Sequence, residues 1–225
     1  MKLKLLLSTA VFCGLLASPA QASIIEHQSG TWYQADSVVD GSTGADLSGM
    51  EVTVCYVTDI CQTVNFDGSL GGNSYGAAIG SDWQLSLAGD SFNVEFIFTA
   101  ASPVTLLHLN GVTSNTAFDT KSTNQGSPGS NYGRPFALVS IAEDPFAQVD
   151  FAPTSVIYSN EVWLNGVFHN DLYTSLAIHF DANGVMGTTS FFTDTDQVTG
   201  LQVPTPATLL LMLAGLIALR QRKSA

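Results

Sequence analysis

The chain has 225 residues with 19 Asp and Glu against 7 Lys and Arg, so its formal net charge is −12. Residues 23–202 contain all 19 acidic residues but only two basic ones, Lys121 and Arg134, which gives this segment a formal charge of −17. Phosphate groups are bound by clustered cations, so this charge excludes binding to nucleic acid or to an anionic lipid surface. It is typical of a soluble extracellular protein.

The first 22 residues have the pattern of a secretory signal peptide. Lys2 and Lys4 precede an apolar core that extends from residue 5 to residue 16. Small residues then occupy positions −3 and −1 of a signal-peptidase site. The residues that define this site are Ala20, Ala22 and Ser23, and the mature chain is expected to begin at Ser23.

Residues 23–202 are predicted to form one all-β domain. Short runs of β-branched and aromatic residues alternate with turn residues, and no window of 11 residues has helical periodicity. The predicted strands cover residues 31–34, 50–57, 60–66, 83–88, 92–99, 104–109, 136–141, 147–151, 156–167, 173–180 and 185–193. So many short strands favour an antiparallel β-sandwich. A jelly roll is preferred because many connections are long, and an immunoglobulin-like sandwich is the alternative.

The connections between these strands are of two kinds. Residues 67–80, with five glycines, are expected to cross the surface, and the polar segment 112–134 is a candidate functional loop. Tight turns are predicted at residues 89–90 and 181–184. Asn165-Gly166 is expected to mark a bulge or break within a strand.

Cys55 and Cys61 flank the tip of the first predicted hairpin, and the third cysteine lies in the signal peptide. Two cysteines in an exported domain favour a disulfide. A three-residue loop at residues 57–59 would place them directly opposite each other, whereas a two-residue loop would place them on opposite faces. A metal-binding or redox-active pair is the alternative, but there is no C-x-x-C spacing and no nearby histidine.

The sequence contains no recognisable catalytic motif, so we predict a protein without enzymatic activity and without a cofactor. There is no G-x-S-x-G, no H-E-x-x-H and no glycine-rich phosphate loop. The alternative function is a secreted glycan hydrolase, which would need a pair of carboxylates. The strand-borne glutamates that could supply such a pair lie far apart in the sequence. These glutamates are Glu51, Glu95 and Glu161.

The histidines show no recognisable metal-binding spacing. A metal triad would have to be assembled in space from His108, His169 and His179.

Acidic residues offer two kinds of candidate calcium site, a single loop and a surface site that several segments would form together. Residues 181–184, with the sequence D-A-N-G, resemble the start of a calcium loop but lack the later ligands and the closing Glu, so a hairpin turn is the better interpretation. Asp194-Thr195-Asp196 and Glu143-Asp144 are candidates for a surface site that is built from several loops. No metal is assigned to either.

Aromatic residues in the domain offer a stacking platform for sugar rings, with core packing as the alternative for most of them. The candidates are Trp32, Trp83, Trp163 and the tyrosines at positions 33, 56, 75, 132, 158 and 173.

The C-terminal segment has three parts. It begins with an extended motif of Val203, Pro204, Thr205, Pro206, Ala207 and Thr208. An apolar run to residue 219 follows, near the lower limit of what spans a bilayer, and the chain then becomes basic at Arg220, Arg222 and Lys223. The basic end is expected to stay in the cytoplasm, which leaves the domain on the other side of the membrane. A hydrophobic helix packed on the domain is the alternative.

These residues resemble the PEP-CTERM sorting tail of Gram-negative envelope proteins, with Thr205 where that family most often has Glu. The resemblance implies anchoring in the inner membrane and cleavage at the motif by an exosortase. It further implies display at the cell surface or release, in association with exopolysaccharide or biofilm. Residues 109–119 and 126–136 loosely resemble a pattern of the same group, where it belongs to a β-sandwich of undefined activity.

Overall fold

The computed structural model describes residues 24–122, 126–130, 132–139 and 152–202. The predicted signal peptide with its cleavage site, the predicted strand at 147–151, Glu143-Asp144 and the sorting tail lie outside these residues. The described residues form an all-β structure, which confirms the predicted fold class. They contain no helix that is long and apolar enough to cross a membrane.

Fourteen strands are present in the described residues. In chain order they are β1 Ile24–Gln28, β2 Tyr33–Ala35, β3 Ser37–Val39, β4 Glu51–Tyr56, β5 Cys61–Asn65, β6 Tyr75–Ile79, β7 Trp83–Ala88, β8 Phe96–Asn110, β9 Thr116–Asp119, β10 Ala137–Leu138, β11 Ser155–Leu164, β12 Val167–His179, β13 Val185–Phe192 and β14 Asp194–Thr199.

The long strand β8 joins two groups of strands. Its first half, residues 96–100, pairs with β7 and β13, so that the order β6-β7-β8-β13-β10 forms one layer. Its second half, residues 104–110, pairs with β4 and β12, and the order there is β5-β4-β8-β12-β11. One strand therefore contributes to both layers of a sandwich-like structure.

One hydrophobic core lies between these two groups of strands. Leu85, Phe96, Phe98 and Phe191 come from the first group, and Val54, Leu107, Leu176 and Ile178 come from the second, all in the same buried cluster. The alternation of buried side chains along β7 and β8 follows from the two-residue period of a strand. Trp83, Leu85 and Leu87 lie on the inward face of β7 and are buried.

A second, smaller group of strands pairs with the first half of β12, at Leu172 and Tyr173. Strand β9 pairs with β12 and with β14, and β14 pairs with β3, all antiparallel. A separate cluster of small apolar residues packs beneath it, with Ala117, Leu172 and Val198 among its members. The expectation of a purely antiparallel sheet is wrong at one edge, because β1 and β2 both pair with β11 in parallel.

The hairpin of β4 and β5 has the predicted register. Cys55 and Cys61 lie directly opposite each other and form a disulfide with a Cα–Cα distance of 4.0 Å. The Tyr56 N–H donates to the Ile60 carbonyl at 2.9 Å, which leaves a three-residue loop at 57–59. Asp59 closes this loop at a φ of 59°, a left-handed conformation that Asp tolerates. The disulfide prediction is therefore confirmed.

Several predicted boundaries are wrong, each for an identifiable reason. Strand β6 occupies part of the predicted surface loop 67–80. The predicted break before Pro103 is absent, and β8 continues through this residue. Pro103 lies between residues 96–100, which pair with β13, and residues 104–110, which pair with β4. Asn165-Gly166 is a two-residue hairpin turn rather than a bulge, since both residues have positive φ, 51° and 79°, and Leu164 pairs with Val167.

Candidate functional site

Three buried aspartates meet where β9 and β14 pair. Asp119 ends β9 directly opposite Asp194 at the start of β14, and Asp196 lies two residues along the same face of β14. Their relative exposures are 1%, 0% and 0%. One carboxylate oxygen from each lies within 4.8 Å of those of the other two. We refer to these residues as the aspartate triad.

Hydrogen bonds fix one oxygen of each carboxylate of the triad. The Lys121 N–H donates to Asp119 Oδ1 at 2.8 Å, and the Gly41 N–H donates to Asp196 Oδ1 at 2.8 Å. Asp194 Oδ1 accepts from the Ser91 hydroxyl at 3.0 Å and from the Thr195 N–H at 2.8 Å. All three side chains are thus held in place by donors from neighbouring strands and loops.

The second oxygens are in a different situation. Asp194 Oδ2 and Asp196 Oδ2 are buried without a hydrogen-bond partner in the described part of the chain, whereas Asp119 Oδ2 accepts from the Ser130 hydroxyl. Buried polar groups are nearly always hydrogen-bonded, because removing a polar group from water without a partner is costly. These two oxygens on one strand are therefore available to an electropositive partner, either a proton or a cation.

A covering segment, residues 126–130 and 132–134, lies over the triad. Ser127 donates through its N–H and its hydroxyl to the buried carboxylate of Asp171, and Ser130 donates to Asp119. Gly133 passes so close to Asp119 that a Cβ at this position would collide with the carboxylate, so only glycine fits there. The covering segment is thus fastened to the carboxylates that it buries.

Burial dominates the electrostatics of the triad. It raises the pKa of Asp194 to about 8, with a further contribution from the nearby Asp196. Burial likewise raises the pKa of Asp196 to about 7 and that of Asp119 to about 6. The folded protein therefore resists placing three negative charges at this point.

Arg134 lies close by in the sequence but is engaged elsewhere. Its guanidinium is 3.3 Å from the ring centroid of Phe192, and its Nη1 donates to the Phe92 carbonyl at 3.0 Å. Its backbone carbonyl accepts from the Asp194 N–H at 2.8 Å. Arg134 therefore fixes the end of the covering segment without pairing with the two unpartnered oxygens.

The triad corrects the prediction made for Asp194-Thr195-Asp196. These residues were expected in a surface site made of loops, but they are fully buried on a strand. Their acidic partner is Asp119, which the prediction did not include. Their i, i+2 spacing places both side chains on one face of a strand, and this was the available signal. The turn at 181–184 is confirmed, since Asp181 Oδ1 accepts from the N–H groups of Asn183 and Gly184.

The alternative histidine triad is wrong. His169 and His179 lie on β12 ten residues apart, a separation of about 33 Å along an extended strand. His108 lies near the His179 end of that strand, where its Nε2 is 2.8 Å from the Ser175 hydroxyl. Burial lowers the pKa of His108, which is typical of a packed sheet residue.

A row of aromatic rings extends from solvent into the core beside β2, β11 and β12. Trp32 is 43% exposed and lies 5.4 Å from the half-buried Trp163. Trp163 stacks on Phe168 at 5.9 Å across the Asn165-Gly166 hairpin. Phe168 then meets the buried Tyr173 edge-on at 5.9 Å. We refer to Trp32, Trp163 and Phe168 as the aromatic row.

Three of the seven other predicted platform residues belong to the core, and Tyr33, Tyr56 and Tyr75 are half-buried. Trp83 is 3% exposed and its Nε1 donates to Gln62 Oε1 at 2.8 Å, and Tyr158 and Tyr173 are buried. Tyr132 is 50% exposed on the covering segment. Burial raises the pKa of Tyr173 to about 12, as expected for a core tyrosine. The exposed part of the platform is therefore smaller than the sequence suggested.

Glu51 and Glu161 do not form a carboxylate pair of the glycosidase kind, and Glu95 precedes β8 rather than lying on a strand. Glu51 on β4 and Glu161 on β11 are separated by three strand spacings, about 14 Å. Glycosidase carboxylates lie about 5–9.5 Å apart. Glu51 accepts instead from the Asn110 amide at 2.9 Å, and Glu161 accepts from Trp163 Nε1 at 3.2 Å.

A shallow groove of about 380 Å³ lies beside the disulfide hairpin. Its only carboxylate among the lining residues, Asp82, accepts from the Tyr56 hydroxyl and from the Ser81 hydroxyl. Val57 and Pro103 supply apolar lining. Because its carboxylate is already engaged, this groove offers less for a specific ligand than the aromatic row does.

Comparison of the chain with protein-family models, with curated proteins and with solved structures finds no match. The functional argument therefore depends on the residues described above.

Proposed function

We propose that this chain is an exported, non-catalytic protein of the cell envelope or extracellular matrix. Its jelly-roll-like sandwich is carried across the inner membrane by the signal peptide and held there by the sorting tail. Cleavage by a signal peptidase and by an exosortase-type enzyme then leads to display or release. The Cys55–Cys61 disulfide supports an oxidising destination, because structural disulfides persist mainly outside the cytoplasm.

We further propose that the domain binds polysaccharide, and the aromatic row is the observation that carries this proposal. A tryptophan exposed to 43% and braced by a second ring offers a flat apolar face of fixed orientation. The C–H faces of sugar rings stack on such surfaces, and the bracing lowers the entropy that is lost on binding. The formal charge of −17 would repel polyanions, so we expect a neutral glycan.

Affinity electrophoresis of the full-length chain in gels that contain the polysaccharide of its own producing cells tests this proposal. We expect retardation by the glycan and a loss of at least about tenfold in affinity, equivalent to about 1.4 kcal/mol, in the Trp32→Ala variant. Tyr132→Ala is the matched control, because it removes an exposed aromatic side chain outside the aromatic row. Equal retardation of the two variants would contradict the assignment to Trp32.

The same mixtures distinguish the alternative function. A glycan-active hydrolase would release new reducing ends from the polysaccharide during prolonged incubation. The separation of Glu51 and Glu161 supports the non-catalytic proposal, for which binding without release is expected. Release by the parent chain would refute that part of the proposal.

A further inference from the structure

The two unpartnered oxygens of the triad are the least satisfied groups in the described part of the protein. Both belong to side chains with 0% exposure, and both lie on β14 beside a third carboxylate. An uncompensated buried charge is strongly destabilising, whereas a buried charge that coordinates a metal is common. A cation held between the three carboxylates, one oxygen of each of which lies within 4.8 Å of the others, would compensate this charge.

The geometry suits a single ion. Three atoms that all lie within 4.8 Å of one another are at most about 2.8 Å from a common centre, close to the Ca²⁺–oxygen distance of about 2.3–2.6 Å. The donors are exclusively carboxylate oxygens, which hard cations prefer and which disfavour Cu²⁺ and Zn²⁺, whose usual ligands include imidazole or thiolate. The oxygens that already accept hydrogen bonds hold the side chains in place.

We propose that Asp119, Asp194 and Asp196 bind one Ca²⁺ ion, which links β9 to β14 beneath the covering segment. Ca²⁺ is favoured over Mg²⁺ because it accepts irregular coordination, whereas Mg²⁺ requires near-octahedral geometry and retains several waters. A closed site with exposures of 0–1% leaves little room for those waters. This inference is independent of the aromatic row and of polysaccharide binding.

The ion would be structural. The triad is closed to solvent by the covering segment, whose Ser130 bonds to Asp119 and whose Gly133 packs on the same carboxylate. A bound ion would neutralise two of the three negative charges and supply the partner that Asp194 Oδ2 and Asp196 Oδ2 lack. Exchange of the ion then requires the covering segment to move, so we expect slow release into a chelator.

Melting of the chelator-treated full-length chain at pH 8, with and without added CaCl₂, tests the proposal. Ca²⁺ at 100 times its dissociation constant is expected to raise the Tm by about 5–10 °C for a domain of this size. Calorimetric titration should give one ion per chain. The same concentration of MgCl₂ should give a smaller shift, and an equal shift would overturn the choice of Ca²⁺.

Two variants separate binding from general effects of charge. Asp194→Asn keeps the side-chain shape but removes a ligand charge, so we expect its Ca²⁺-dependent rise in Tm to disappear. This variant should remain folded without metal, because it also removes a buried negative charge. Asp181→Asn, in the exposed turn at 181–184, should keep the full response. No Ca²⁺ response in the parent chain, or an unchanged response in Asp194→Asn, would overturn the proposal.

Discussion

Replacing Asp196 by Asn should stabilise the metal-free protein, and the stabilisation should grow with pH. The carboxyl of Asp196 is fully buried, its Oδ1 accepts from the Gly41 N–H and its Oδ2 has no partner. An Asn side chain retains the first contact and adds an N–H donor in place of the unpartnered oxygen. It also removes a charge that the folded state holds at a cost.

The magnitude follows from the pKa of Asp196, which burial raises from 3.8 to about 7. A carboxyl whose pKa is higher in the folded protein than in the unfolded chain contributes stability that is fully present below its pKa in the unfolded chain. This contribution is lost as the pH rises through its pKa in the folded protein. A change of one in pKa corresponds to about 1.4 kcal/mol. The advantage of Asn should therefore increase from under about 1 kcal/mol at pH 4 to about 4 kcal/mol at pH 8.

Circular dichroism melts of chelator-treated parent and variant at pH 4, 6 and 8 measure this difference. At pH 8 we expect the Tm of Asp196→Asn to exceed that of the parent by about 10 °C. Burial lowers the pKa values of His27 and His108, but both chains share this effect and it cancels in the comparison. A difference in Tm that is constant from pH 4 to pH 8 would refute the reasoning, as would a variant less stable than the parent at pH 8.

Three further outcomes are expected. Replacing Cys55 and Cys61 by Ser should cost about 2 kcal/mol in the chain-entropy account of a short loop, which thermal melts would show as a Tm lower by about 4–8 °C. Gly166→Ala should cost about 1 kcal/mol because φ is 79°, although its Cβ would meet no atom within 4 Å; denaturant titration would show a lower midpoint at an unchanged slope. Replacing Pro204 and Pro206 by Ala should leave the protein uncut in the membrane, and an unchanged mature mass by mass spectrometry would argue against exosortase-type processing.

The parts of the fold that were predictable are those with one buried face. Strand β7 alternates buried and half-buried residues over its first five positions, so the two-residue period of its sequence is visible. The disulfide hairpin was predictable because the register of a hairpin follows from the length of its loop. The Asn165-Gly166 turn could also be predicted, since Asn-Gly between apolar runs is a strong hairpin signal, but the sequence was interpreted as a bulge or break within one strand.

Strands β9 and β14 were missed because their residues are buried on both faces. All four residues of β9 and five of the six of β14 are buried or nearly so, and a strand of this kind has no polar face to set the period. Acidic residues in such a strand look like loop residues, because Asp is depleted in strands. The pairing of β1 and β2 with β11 could not be predicted either, because the sequence of a strand does not indicate which distant strand it pairs with.

The aspartate triad shows why a local sequence pattern was insufficient. Asp119 and Asp194 are 75 positions apart, and only the pairing of β9 with β14 makes them neighbours. Because residues 23–202 contain 19 acidic residues, each aspartate looked like one more solvated residue. What distinguishes these three is the cost of their burial, which the rest of the fold must offset or a bound cation must cancel. The proposed Ca²⁺ site therefore lies where the sequence gives little sign of it, between β9 and β14 beneath the covering segment.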